Sequence, residues 1–229
     1  MLPLAKISCR WVGLAGLMPL AFAAAPARAD DAQLWLSARV NVKVAPRVTL
    51  SNEIVMRHSD QRGYYDFVDN FMIGYQLNRH VTVWAGYSRQ TAMSHGNRTA
   101  TEQRFRQQVS FDNIAHLGPL RFGGRLRMEE RWRNVSPGTG WRLRPQEKVT
   151  MPLVGKLTLT VSHEDFINFN STGFQSAEGE ERMRNAISVS VPVSKHLAVD
   201  LGYLEQHGFV RNGPDTNDHV ATVSLSAAF

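Results

Sequence analysis

Cysteine occurs once in 229 residues, as Cys9, and lies beside the first apolar stretch. A lone thiol excludes a disulfide framework, a CxxC redox motif and a cysteine-built metal centre. After residue 29 no run of 18 consecutive apolar residues occurs, which excludes a membrane-spanning helix in that part. The helical i, i+3, i+4 pattern is missing as well, and so are Walker-type and dinucleotide glycine loops. Gly138 to Gly140 is only a turn signal. Acidic residues are fewer than basic ones, 20 against 26.

Residues 1–29 explain part of that imbalance. Lys6 and Arg10 precede an apolar run from Trp11 to Ala25, and Ala27-Arg28-Ala29 forms an A-x-A site before Asp30. That order is a secretory leader cleaved between Ala29 and Asp30. Cys9 precedes the apolar run, against a lipoprotein. Removing Lys6, Arg10 and Arg28 lowers the formal charge from +6 to +3. Export and a modest charge argue against a nucleic-acid partner. Residues 30–229 read as one domain, without a linker or low-complexity segment.

What fills that domain is period-two alternation. Eleven runs carry it: 33–44, 47–57, 66–77, 81–89, 102–111, 121–133, 141–151, 157–168, 180–191, 197–207 and 218–229. Short connections such as Ala45-Pro46 and "LNRH" alternate with longer polar ones at 59–65, 90–101, 169–179 and 208–217. This is the pattern of an up-and-down meander, with short periplasmic turns and longer outer loops. The connection 112–119 is too long for it.

A soluble sandwich alternates too, with its apolar face inward. Strand length separates the two, because most runs have 10 to 14 residues, whereas soluble strands average about 5–6 and tilted membrane strands need about 9–11. Aromatics agree. Tyr87, Trp132, Trp141 and Tyr203 fall near loop ends on the apolar parity, and Phe111 and Phe122 flank the opposite end, as in interfacial girdles. The stretch "RFGGRLRMEERWR" adds an energetic argument. Arg121, Arg125, Arg127, Arg131 and Arg133 share one parity, and an arginine held in mid-membrane lipid costs roughly 2–4 kcal/mol. Three would cost on the order of a domain's whole stability. The arginine face must meet water, which in a closed barrel is the lumen.

The sequence therefore predicts an all-β fold, a single transmembrane antiparallel up-and-down β-barrel, in the outer membrane of a Gram-negative bacterium. Even strand numbers are usual for such barrels, so about 12 strands (10–12) are expected: either a strand is missed or merged among the runs, or the N-terminal segment is not a full ladder member. The final alternating strand ends on Phe229, read as the C-terminal signal for the barrel-assembly machinery.

Several stretches carry a family resemblance: "QLWLSARV", "RLRMEERW", "HEDFINFN" and the tail "MRNAISVSVPVSKHLAVDLGYLEQH…NDHVATVSLSAAF". In this order, from Trp35 to Phe229, the chain resembles the bacterial outer-membrane family of domain of unknown function 2490. The resemblance implies an outer-membrane β-barrel and supplies no reaction and no catalytic residues.

The inward parity holds the candidate site. Arg104, Arg106, Arg121, Arg125, Arg127, Arg131, Arg142, Arg144, Arg182 and Arg184 are its basic lining, and Glu53, Glu129 and Glu164 its acidic partners. Glu102 and Asp200 are further candidates. Low-dielectric walls focus such a charge excess, and basic rings select anions. A narrow basic pore or binding barrel for small anionic solutes is one reading; a lumen plugged by Arg–Glu pairs is another. The third is a lipid deacylase or phospholipase, for which His163, Glu164 and Asp165 form the best local cluster. Neighbouring residues face opposite sides of a strand, so His163 and Glu164 cannot form a dyad, and interfacial hydrogen bonding is the expected role of His163. Asp215, Asn217 and Asp218 lack the spacing of a calcium loop. No cofactor or metal is expected; partners are outer-membrane lipids and lipopolysaccharide, the latter through Arg62, Arg89 and Arg98. A monomer is expected.

Overall fold

The computed structural model describes residues 31–175 and 178–229, so the expected leader and the expected cleavage site at Ala29 and Asp30 lie outside the described residues. Eleven strands follow one another: β1 (Asp31–Ala45), β2 (Val48–Ser59), β3 (Gly63–Gln76), β4 (Val81–Ser94), β5 (Asn97–Leu117), β6 (Leu120–Arg133), β7 (Ser136–Pro152), β8 (Thr158–Asn168), β9 (Gly179–Pro192), β10 (Leu197–Gly208) and β11 (Thr216–Ala228). No helix occurs among the described residues. Each strand pairs antiparallel with its sequence neighbours, and β1 closes the barrel on β11.

The closure corrects the expected strand number. The barrel has eleven strands, not about 12, and none was missed. An odd number of alternating strands leaves the first and last running the same way, so their seam must be parallel. It runs from Asp31 opposite Asp218 to Asn41 opposite Ala228. The ladder is therefore antiparallel everywhere except at this seam.

Two connections are also shorter than the sequence suggested. Residues 90–101 are strand up to a two-residue turn at His95 and Gly96, both at positive φ (50° and 81°). That geometry suits the right-handed twist of a tight hairpin. The stretch 112–119 is mostly the end of β5. A register shift between Phe111 and Ala115 absorbs its extra residues, with Asn113 at φ 51°, and the turn shrinks to Gly118-Pro119.

Side-chain alternation gives this barrel an inverted interior. Leu34, Leu36, Phe71, Ile73, Leu126, Val161, Ile187, Leu201, Val223 and Leu225 are exposed on the outside. Arg104, Arg106, Arg127, Arg131, Arg142, Arg144 and Arg184 are buried, together with Glu102, Glu129 and Glu164. Tyr87, Trp132, Trp141 and Tyr203 are exposed on the outer surface, whereas Phe111 and Phe122, nearer the turn end, are half-buried.

Phe229 belongs to the seam. Its amide donates to Asn41 O (3.0 Å), its carbonyl accepts from Lys43 N (2.8 Å), and its ring stacks on His196. Net backbone hydrogen bonds contribute about 1 kcal/mol each. Deleting Phe229 is expected to lower the fraction that migrates as a compact unheated band on a gel. Phe229→Ala keeps both backbone bonds and should fold in detergent like the parent. Equal loss for both variants would assign the effect to the side chain instead.

Candidate functional site: an arginine-lined lumen

Three buried glutamates organise the interior. Glu129 on β6 has no exposed surface. It accepts hydrogen bonds from Arg142 Nη2 (2.6 Å) and Arg144 Nη1 (3.0 Å), and Arg106 Nε lies 3.0 Å away. Glu164 on β8 accepts from Arg125 Nη2 (2.7 Å) and Arg144 Nη2 (2.8 Å), with Arg184 at 4.0 Å. Glu102 on β5 accepts from Arg104 Nε (2.6 Å), Arg131 Nε (2.9 Å) and Arg133 Nη2 (2.7 Å). These contacts form because alternate residues of adjacent strands stand side by side on one face: Glu129 pairs with Arg106 on one side and Arg142 on the other.

The cations outnumber their partners. Twelve arginines line the central cavity. Besides the three glutamates, Glu53 pairs with Arg39, Asp66 with Arg57 (2.9 Å) and Glu181 with Arg142 (3.5 Å) and Arg182 (3.9 Å). Twelve guanidiniums against six carboxylates leave a formal excess of six. Arg127 has no carboxylate at ion-pair distance among the described residues; its Nε donates to Gln108 Oε1 (2.8 Å).

Trp35 and Phe166 are two of the lumen aromatics that sit among these charges. Arg57 and Arg184 lie over Trp35 at 4.1 and 4.8 Å from the ring centre. Phe166 faces Arg144 at 4.3 Å and Arg184 at 4.5 Å. The negative ring faces offset part of the mutual repulsion of the guanidiniums. Trp35 Nε1 donates to Gln33 Oε1 (2.9 Å), which also accepts from Tyr65 Oη (2.6 Å), so the indole is fixed in place.

The free space forms a file of three cavities. The central one has about 370 Å³. Towards the loops it shares Trp35, Arg57, Gln90 and Arg182 with a second of about 370 Å³. Towards the turns it shares Arg39, Glu53, Asn70, Arg106, Arg125, Arg127 and Gln146 with a third of about 250 Å³. At the loop end Gln175 folds inward and is almost fully buried. It accepts from Arg131 Nη1 (2.8 Å) and donates to Asn170 O (2.7 Å), while Phe174 packs against Arg131 and Arg133.

Nine of the ten arginines expected in the lumen line the central cavity, and Glu53 and Glu164 do too, with Glu129 behind them. Arg121 does not. It is exposed at the turn end of β6, opposite His116 and Thr150, beside a shallow pocket with Lys156. Its parity is right and its height is wrong. Asp66 and Glu181 were not foreseen. Asp66 follows plain alternation, on the buried parity of β3 with Val68, Asn70 and Met72, whereas Glu181 turns inward at the register shift Phe166/Ile167 against β9, where a bulge re-aims side chains relative to simple alternation. Arg62, expected to face lipopolysaccharide, donates to Asp31 Oδ2 (3.1 Å) and stacks over Tyr65.

His163 faces outward. Its Nδ1 lies 2.7 Å from Asn185 Oδ1 and its Nε2 2.9 Å from Asp165 Oδ1, while Ser162 lines the lumen. Asp215 accepts from Val210 N (2.9 Å) and Asp218 from Gln206 Nε2 (2.7 Å). No group of three metal-ligating side chains occurs among the described residues.

Comparison with known proteins places the chain in a family without an assigned activity. It is 23% identical to an uncharacterised protein of Methylorubrum extorquens over 214 residues, covering 86% of this chain and 87% of that one. No solved structure matches. A family model matches residues 32–217, most of a closed barrel with a basic interior, and the chain belongs to that family, described as Protein of unknown function (DUF2490).

Proposed function

We propose that this protein is an outer-membrane β-barrel whose lumen binds and passes small anionic solutes. The single observation that carries the reading is the surplus of guanidiniums on the walls of three adjoining cavities. The export leader, the apolar outer surface and the closed ladder support the membrane setting, since a spanning sheet must leave no unpaired edge in lipid. Outer-membrane lipids cover that surface, and the barrel-assembly machinery inserts it.

An anion entering the file exchanges its hydration shell for planar N–H forks. Arg127 and Arg184 are the best placed to receive it. Arg127 lacks a close carboxylate among the described residues, and Arg184 meets Glu164 only at 4.0 Å. Phosphate-like and carboxylate groups suit such forks because they accept two parallel hydrogen bonds. Passage requires that binding be weak enough for release; the bound glutamates temper the field.

A structural barrel with a plugged lumen draws on the buried Glu102, Glu129 and Glu164 networks and on Gln175. A lipid hydrolase finds little support. Both ring nitrogens of His163 are occupied by Asn185 and Asp165, so neither faces a nucleophile, and Ser162 points into the lumen.

The processed protein in a planar bilayer separates these readings. Discrete conductance steps with a reversal potential favouring anions are expected, and the preference should fade as salt screens the wall charges. A silent membrane with folded protein inserted, or a preference for cations, would overturn the anion passage.

A further inference from the structure

We infer that the turn-side cavity is a binding site for a phosphate-type group, which it selects over carboxylates and halides. The inference deepens the reading of the lumen as an anion site and rests on it. Two neighbouring rows of inward side chains build the wall. Trp84 on β4 stands beside Gln108 on β5, and Gln108 beside Arg127 on β6. In the next row towards the turns, Ser110 stands beside Arg125, and Arg125 beside Gln146 on β7. Trp84, Ser110, Arg125, Arg127 and Gln146 all line one cavity of about 250 Å³.

This wall carries unused donors. Trp84 Nε1 and Arg125 Nε are buried and have no hydrogen-bond partner among the described residues. Arg127 is 9% exposed; its Nε goes to Gln108, and its terminal nitrogens have no hydrogen bond among the described residues. The Gln146 carboxamide has none among them either. Gln108 Nε2 donates to Ser110 Oγ (2.7 Å), so the Ser110 hydroxyl still has its own hydrogen to give. The indole owes its place to the residue it faces. Gly74 on β3 is its cross-strand partner, and a Cβ there would come within 2.5 Å of the ring carbons.

Donor chemistry names the ligand. A buried donor without an acceptor is costly, and these five side chains, on four neighbouring strands, suit a ligand with several acceptor atoms. A carboxylate offers two oxygens in one plane, which a single guanidinium fork satisfies. A halide offers no directional acceptors. A phosphate-type group presents three or more oxygens in a tetrahedral arrangement, and its charge suits Arg125 and Arg127. Indole, hydroxyl and carboxamide add hydrogen bonds without adding charge, which keeps release possible. The carboxylates on this cavity are engaged, Glu53 by Arg39 and Asp112 by Lys148 (2.8 Å), so a cation finds no free partner there.

Calorimetric titration of the processed, detergent-folded barrel at low salt tests the site, with inorganic phosphate, methyl phosphate, acetate and chloride as probes. The better of the two phosphates should bind about tenfold tighter than acetate or chloride. A preference for methyl phosphate assigns an ester ligand, and the opposite order assigns free phosphate. Trp84→Phe keeps a ring over Gly74 and removes the N–H; it should weaken phosphate binding about fivefold, as the loss of one hydrogen bond does. Arg127→Gln removes a charged donor and should weaken it by about tenfold or more. The compact unheated gel band reports folding, and if one variant loses it, the other variant and the selectivity of the parent decide. No phosphate binding by the folded parent, acetate bound as tightly as phosphate, or an affinity unmoved in a folded variant would overturn the site. Phosphate binding by a barrel that passes no current would defeat the passage alone. An anion-selective current without phosphate binding would defeat this site alone.

Discussion

Replacing Arg125 and Arg127 together by glutamate is expected to convert an anion-preferring conductance into a cation-preferring one. Both side chains line the central and turn-side cavities, where the file has its common wall. The double substitution changes the local charge by four units. Two unit charges 4 Å apart interact by about 4 kcal/mol at an effective dielectric constant of 20, and about 1.4 kcal/mol is a tenfold change in an equilibrium ratio. The permeability ratio should therefore move by roughly tenfold or more, which a reversal potential in a salt gradient reads directly. Arg127→Gln alone should lower the anion preference without reversing it. That change leaves every ion pair intact, since Arg127 has no carboxylate at ion-pair distance and hydrogen-bonds Gln108 among the described residues. The double variant loses the Arg125 bond to Glu164, which Arg144 still holds at 2.8 Å. Unchanged selectivity in both variants would mean that ions do not pass this wall.

Glu129→Ala should be the most damaging single carboxylate substitution. The side chain has no exposed surface and gathers Arg106, Arg142 and Arg144. Without it, Arg106 has no carboxylate left at ion-pair distance among the described residues, Arg142 keeps only Glu181 at 3.5 Å and Arg144 only Glu164 at 2.8 Å. Breaking a buried ion pair from one side costs about 3–5 kcal/mol. The urea midpoint of the detergent-folded barrel, followed by the shift between folded and unfolded gel bands, measures the loss. Glu129→Gln keeps an acceptor oxygen and should fall between parent and alanine variant. Glu147→Ala, on the outer surface, should leave the midpoint of the isolated barrel almost unchanged. Equal midpoints for Glu129→Ala and the parent would show that the arginine wall stands without its central anion.

A buried ion-pair network is weak evidence for net stability, because desolvation consumes much of the Coulomb gain. In this lumen six carboxylates lie within ion-pair distance of all the lining guanidiniums but Arg127, and the proposed anion passage rests on the excess of cations.

Alternation in the sequence was enough to give the strands, the polar face and the greasy face. Side-chain direction has a period of two because of local backbone geometry alone. Arg104, Arg106, Arg125, Arg127 and Arg131 could thus be assigned to one side from their spacing, and Trp35 falls on the same side by the same rule. The cost of an arginine in lipid then pointed to this side as the interior, where the structure has it. Height along the barrel was not available in that way. Arg121 shares the parity of Arg125 and lies at the turn end, below the cavities.

Pairing across strands was equally out of reach. Which carboxylate meets which guanidinium depends on register, and register is set by closure of the whole ladder and by bulges such as those at Phe111/Ala115 and Phe166/Ile167. The parallel β1–β11 seam, the inward turn of Glu181 and the folding of Gln175 into the mouth are non-local in the same sense. The sequence by itself determined an exterior and an interior, because each residue's direction follows from its neighbours. Only the closed tertiary structure decided the strand number, the depth of each charge and its partners, because those follow from contacts between residues far apart in the chain.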